Sequence, residues 1–222
     1  MALSDRDTVV FDVVGTIFDV SVLDEPLAEL GAAPATRAAW FARLLHHACA
    51  LSLVGEYAPF REVATTALRS VLCQQELDPA KAEDVVAKLA GLPPHPEARP
   101  ALERLRHAGL RVVTLTNSGE EQTRELLAEN GLADFVQEIL TVEDVRVYKP
   151  DPRVYRMAAE RLDREPGSLV LVAAHGWDVL GALSAGWDAV WVDKLEKVWP
   201  LPVDEPERRA ADLDEAARLI AG

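Results

Sequence analysis

With 222 residues, 49% of them hydrophobic and 27% charged, the chain has the length and composition of a soluble globular protein built as one core domain with an insert, or as two small domains. Acidic residues outnumber basic ones 37 to 23, and the formal charge of -14 excludes nucleic acid and anionic membrane as expected partners and demands locally placed positive charge for an anionic substrate. No apolar run approaches a membrane span, no leader-like segment is evident, and Cys49 and Cys73 have neither metal-ligand nor redox spacing, so a cytoplasmic protein is expected.

Thr8-Val9-Val10-Phe11 is an apolar run closed by Asp12, which predicts a buried strand over 8–12 with a carboxylate at its carboxyl end. The turn Val13-Val14-Gly15-Thr16 follows. From about 22 to about 92 the apolar residues fall at helical spacing: Trp40-Phe41 with Leu44-Leu45, then Val63, Ala67 and Val71, then Val85, Val86 and Leu89. Three or four amphipathic helices are predicted there. Gly91-Leu92-Pro93-Pro94-His95-Pro96 breaks any helix and marks the return from the insert, so the core is assigned to 1–20 and 93–222 and the insert to 21–92.

Beyond that point helices and strands alternate. A helix over 97–108 ends at Gly109, a strand runs from Leu110 to Leu115, and a helix over 120–129 ends at Asn130-Gly131. A short apolar segment surrounds Ile139, and Val145 to Tyr148 reads as a strand leading to Lys149. A helix at 151–162, a strand from Leu169 to Ala173, a helix from about 177 to 185 and a strand at 188–192 come next, and a short helix over 213–220 ends the chain. The pattern predicts an α/β fold with a doubly wound parallel sheet and right-handed crossovers.

Four polar clusters then stand at four strand ends: Asp12 with Thr16; Thr116, Asn117 and Ser118; Lys149; and His175, Trp177 and Asp178. In a parallel sheet these ends converge on one edge, so the residues can share a pocket. A carboxylate with a lysine beside it, hydroxyls, an amide and a second carboxylate suit covalent catalysis by a carboxylate nucleophile, because positive charge keeps that carboxylate ionised.

The segments Phe11-Asp12-Val13-Val14-Gly15-Thr16-Ile17-Phe18-Asp19-Val20, Leu115-Thr116-Asn117, Val147-Tyr148-Lys149-Pro150-Asp151 and Val172-Ala173-Ala174-His175-Gly176-Trp177-Asp178 resemble, in order and spacing, the four motifs of the haloacid dehalogenase superfamily. The L-2-haloacid dehalogenase branch is the nearest in pattern. That resemblance implies a helical cap over an α/β core, a small anionic 2-substituted carboxylic acid as substrate, no metal and no cofactor, and a homodimer through the cap. It also implies roles: Asp12 attacks carbon, Thr16 and Thr116 position and polarise, Lys149 holds Asp12 charged and steadies the ester, and Asp178 orients Lys149 and water. Val13, Val14, Phe41, Asn117, Tyr155 and Trp177 fall at positions that line the pocket. The superfamily's phosphatases carry a second Asp two residues after the nucleophile and a metal-binding Asp before the last motif's carboxylate. Here those positions hold Val14 and Ala174.

Three departures from the dehalogenase pattern stand out. The cap-helix Arg that receives the halide is replaced by Phe41, which follows Trp40, with Arg37 and Arg43 the nearest cations in sequence. Val14 takes the place of a pocket aromatic. His175 replaces an Asn that holds the hydrolytic water, with Ala173 in place of a Ser, and an imidazole there could act as a general base or as a donor. Two alternatives stay open: a phosphatase or strained-ring carboxylate hydrolase on the same scaffold, and a binding protein that has lost the leaving-group site.

Overall fold

The structure is a computed structural model that describes residues 7–222. Its centre is a six-stranded parallel sheet of β1 (Thr8–Phe11), β2 (Arg111–Thr116), β3 (Glu138–Thr141), β4 (Leu169–Ala173), β5 (Asp188–Val192) and β6 (Arg209–Ala210), in the order β3-β2-β1-β4-β5-β6. All five pairings are parallel, with Phe11 opposite Thr114 on one side and Val172 on the other. Strands flanked on both sides and covered on both faces must be apolar throughout. Accordingly, β1 and β4 are buried at every residue.

The core helices are α5 (Ala98–His107), α6 (Glu120–Glu129), α7 (Pro152–Leu162), α8 (Gly176–Ser184) and α9 (Leu213–Ala221), each turning its apolar face to the sheet or, for α5 and α9, also to each other. Sequence cues explain their starts. Asp151 accepts the Arg153 N–H and Asp212 the Glu215 N–H, satisfying donors that open a helix, and Pro152 stands at the first position of α7.

Between β1 and α5 lie the helices α1 (Asp24–Glu29), α2 (Thr36–Val54), α3 (Phe60–Gln74) and α4 (Ala82–Ala87), matching the helical spacing read there. Trp40 on α2 is buried, and its indole N–H donates to the Ala64 carbonyl of α3 at 2.8 Å. Two chain crossings join this helical segment to the sheet and are stitched side by side. The Asp19 N–H donates to the Pro93 carbonyl and the His95 N–H to the Ile17 carbonyl, each at 2.9 Å.

One element differs from expectation. Val145 to Tyr148 is not a strand: β3 ends at Thr141, and the chain passes through a single 3-10 turn over Val142–Asp144 into a loop. Arg146 adopts a left-handed conformation (φ 52°), which an extended run cannot include. The apolar character of the segment serves packing instead: Tyr148 is buried, its N–H donates to Ser52 Oγ at 3.0 Å, and its hydroxyl donates to the Ala58 carbonyl at 2.8 Å. The two-residue β6 was not anticipated, being too short to carry a pattern.

Trp40 is a buried side chain that couples α2 to α3. Trp40→Ala is expected to cost about 3–5 kcal/mol of stability, read as a lower urea midpoint by circular dichroism; an unchanged midpoint would show that the pair is held elsewhere.

Candidate active site

In a doubly wound sheet, ligands bind beyond the carboxyl ends of the strands where the winding direction reverses. Here the reversal lies between β1 and β4, and those strands lead directly into Asp12 and the segment Ala174–Asp178. The sequence candidates meet there.

Lys149 is the hub. Its ammonium is buried and donates three hydrogen bonds: to Asp12 Oδ1 at 2.8 Å, to Asp178 Oδ2 at 2.7 Å and to the Leu115 carbonyl at 2.8 Å. An ammonium has three donors, so Lys149 is saturated. The loop that delivers it is pinned by Asn117, whose Oδ1 accepts the Lys149 backbone N–H at 3.1 Å.

Asp12 Oδ2 accepts two further bonds, from Thr16 Oγ1 at 2.7 Å and from His175 Nδ1 at 2.9 Å. Thr16 in turn accepts the Ala174 N–H at 3.0 Å, which ties the first turn to the end of β4. Burial by itself would raise the Asp12 carboxyl, but the Lys149 charge, followed by the His175 hydrogen bond and charge, outweighs it and holds the group well below the ordinary carboxylate range. Lys149 is displaced upward, because its two carboxylate partners overcome the burial that would lower it. Asp178 moves upward too: burial dominates, the Lys149 charge opposes it, and the negative charge of Asp12 adds to the rise. Asp12 is therefore the carboxylate held ionised.

Tyr155 is fully buried and donates from its hydroxyl to Asp178 Oδ1 at 2.5 Å. Gly181 makes room for it, since a Cβ there would lie 2.3 Å from the Tyr155 oxygen. Thr116 sits at the end of β2 and is occupied locally, accepting the Ser118 N–H at 3.0 Å. Val13 is buried in the core with its carbonyl accepting from Ile17 and Phe18, so it shapes the turn, whereas Val14 is half-buried.

The His175 ring stacks with two aromatics. Phe41, from α2, stacks with it with centroids 5.4 Å apart, and Trp177 with centroids 5.1 Å apart. The Trp177 ring centroid is also 5.8 Å from Lys149 Nζ. The nearby arginines go elsewhere: Arg37 pairs with Asp24, and Arg43 bonds Ser70 and Gln74 on α3.

Three contributors escaped the sequence reading. The Leu115 carbonyl takes one Lys149 proton, and backbone acceptors leave no mark in a sequence. Gly15, at φ 85°, packs against His175, with a positive-φ glycine in the first turn as its available signal. Glu196, from the loop after β5, accepts the Gly176 N–H at 2.9 Å and caps α8, and nothing in its local sequence announces it.

The donor set does not fit a divalent cation. Val14 and Ala174 bring no side-chain oxygen, and the two carboxylates already share one ammonium that is bonded to both.

A doubly wound sheet with a helical insertion after its first strand and a carboxylate–lysine–carboxylate centre at the switch point defines a doubly wound α/β protein with an aspartate-centred site. A family profile described as a haloacid dehalogenase-like hydrolase matches residues 6–186, and the chain belongs to that family. It is 29% identical to (S)-2-haloacid dehalogenase 1 of Pseudomonas sp. (strain CBS-3), over 95% of each chain. It is 31% identical to (S)-2-haloacid dehalogenase 4A of Burkholderia cepacia, over 83% of this chain and 82% of the other. The structure of the L-2-haloacid dehalogenase from Xanthobacter autotrophicus with chloropropionic acid covalently bound superposes with a TM-score of 0.89 at 26% identity, covering 98% of this chain and 99% of that one.

Removing the hub leaves two carboxylates buried together. Lys149→Met is expected to cost about 3–5 kcal/mol at neutral pH. Without the ammonium the native state binds protons more tightly than the unfolded chain, so the deficit shrinks as pH falls. In the wild type, the contribution of Asp12 has the opposite sign: it is present above about pH 3.9 and lost as pH falls through its lowered value. Urea titrations of both proteins at pH 7.5 and 5 check this; a deficit that does not narrow in acid would overturn the charge assignment.

Proposed function

We propose that this hydrolase displaces halide from small 2-haloacids, with Asp12 as the carbon-directed nucleophile. The observation that carries the reading is the Asp12–Lys149 pair: a buried carboxylate held ionised by an ammonium, with Val14 where a second acid would stand. The names of its relatives, and chloropropionic acid bound covalently in the Xanthobacter enzyme, support the same chemistry.

In the first step an Asp12 oxygen forms a bond to the carbon bearing the halogen, and the carbon–halogen bond breaks with its electron pair leaving as halide. Water then adds to Asp12 Cγ, the bond from Cγ to the substrate-bearing oxygen breaks, and a 2-hydroxy acid departs while Asp12 keeps the oxygen of water. One proton is released overall. Lys149 keeps Asp12 ionised and steadies the ester, Thr16 orients the carboxylate, Asp178 and Tyr155 hold Lys149 in place, and Thr116 shapes the end of β2. His175 acts on ester hydrolysis. Val14, Phe41, Asn117 and Trp177 wall the pocket, with Val13 shaping its floor. The helical segment over 21–92 serves as the cap, excluding water until the ester forms. The protein works in the cytoplasm in this reading, consistent with two free cysteines among the described residues and no helix there long and apolar enough to cross a membrane.

Intact-protein mass spectrometry with (S)-2-chloropropionate is expected to show an adduct on Asp12 together with chloride release. Asp12→Asn should abolish both, by at least about a thousandfold. Chloride release that survives Asp12→Asn would sink the mechanism, and magnesium-dependent phosphate release from an aryl phosphate without chloride release would favour the phosphatase alternative.

A further inference from the structure

The two oxygens of Asp12 are not equivalent. Oδ1 accepts one hydrogen bond, from Lys149, while Oδ2 accepts two, from Thr16 Oγ1 and His175 Nδ1. A carboxylate oxygen offers two lone-pair positions, so Oδ2 is filled and Oδ1 has one free. We propose, on the reading of Asp12 as nucleophile, that Oδ1 attacks carbon and that His175 and Thr16 form an oxyanion hole on Oδ2 for the second half-reaction, with His175 a donor and not the general base.

The charge flow follows from that assignment. Once Oδ1 carries the substrate carbon, Oδ2 is the ester carbonyl oxygen. Addition of water to Cγ moves the carbonyl electron pair onto Oδ2, and the two donors already lie at 2.7 and 2.9 Å from it. Collapse returns the pair, breaks the Cγ–Oδ1 bond, and releases the 2-hydroxy acid; one proton of water goes to the departing oxygen and the other to solvent.

The surroundings of the imidazole argue against a base. An ionised carboxylate only accepts, so Nδ1 carries its proton whether the ring is neutral or charged. The other nitrogen, Nε2, is buried and makes no hydrogen bond among the described residues, and it lies so near Gly15 that a Cβ there would come within 2.9 Å of it. A general base needs one open nitrogen within reach of water. What the site supplies instead is a ring packed against Phe41 and Trp177, which aims one N–H at Oδ2. Phe41 is thereby a positioning residue.

Substitutions can separate the two roles, because an Asn side-chain nitrogen replaces Nδ1 whereas a Gln nitrogen falls near Nε2. Rapid-quench kinetics with (S)-2-chloropropionate would follow the chloride burst and the decay of the ester separately. His175→Ala and His175→Gln are expected to keep the burst and slow ester decay about 100- to 1000-fold. His175→Asn, which restores a donor without a basic nitrogen, should recover decay to within about tenfold of wild type, with the same pH profile. Phe41→Ala should slow decay more than the burst. If His175→Asn is as slow as His175→Ala, or if it removes an acid limb that the wild type shows near the ordinary imidazole range of about pH 6–7, the inference is overturned while the nucleophile reading stands. A wild type with no burst on any 2-haloacid overturns both.

Discussion

The structure of the site hangs on one ammonium. Lys149 joins residues from three places in the chain, the ends of β1 and β2 and the first turn of α8, through three hydrogen bonds of 2.7–2.8 Å. Burying such a charge is costly unless every donor is met and opposite charge is adjacent. Both conditions hold, and because they hold the neighbours are constrained in turn. Asp178 is fixed from its other oxygen by Tyr155, Asn117 grips the Lys149 backbone, and Asp12 is left as the carboxylate whose environment favours the charged form. On the proposed reading of Asp12, a stability requirement and a catalytic one are the same set of contacts.

That arrangement also separates this chain from phosphoryl transfer on the same fold. A phosphate brings charge that a divalent cation offsets, and the cation needs oxygen ligands. In this site the position two residues past Asp12 is apolar, and an ammonium with no spare donor already bridges the two acids. The positive charge is spent on Asp12, the proposed nucleophile. An attack on carbon by a carboxylate needs that, because an oxygen that is ionised and desolvated is a better nucleophile than one shared with water.

Much of this was legible in the sequence because strand ends write it plainly. An apolar run closed by Asp12, another closed by Thr116-Asn117, and a third followed by His175 and Asp178 can converge only if the strands are parallel and adjacent, and they are. Lys149 was placed correctly at the site but for the wrong local reason: Val145–Tyr148 is apolar because Tyr148 plugs into the connection between α2 and α3, and hydrophobicity alone does not distinguish that from a strand. The stacking of Phe41 on His175 was not legible. Phe41 sits on an amphipathic helix whose apolar face could turn to core or cleft, and which one depends on how α2 docks, a tertiary fact with no local signature. Glu196 and the Leu115 carbonyl were hidden for the same reason.

The replacement of a cation by Phe41 reads differently once its contact is known. No arginine of α2 turns toward Asp12: Arg37 is held by Asp24, and Arg43 by Ser70 and Gln74. On the proposed reading, neither guanidinium is free for the departing anion, and the stabilisation of leaving-group charge is weaker on that account. The same side chain meanwhile stacks on His175 and fixes the direction of its N–H toward Asp12 Oδ2. Preorganised donors act only where charge develops, and charge develops on Oδ2 during ester hydrolysis, not during halide departure. On the proposed assignment, the position that elsewhere in the pattern serves the first half-reaction serves the second half-reaction here, which shifts the burden of the first step onto Lys149 and the ionisation of Asp12.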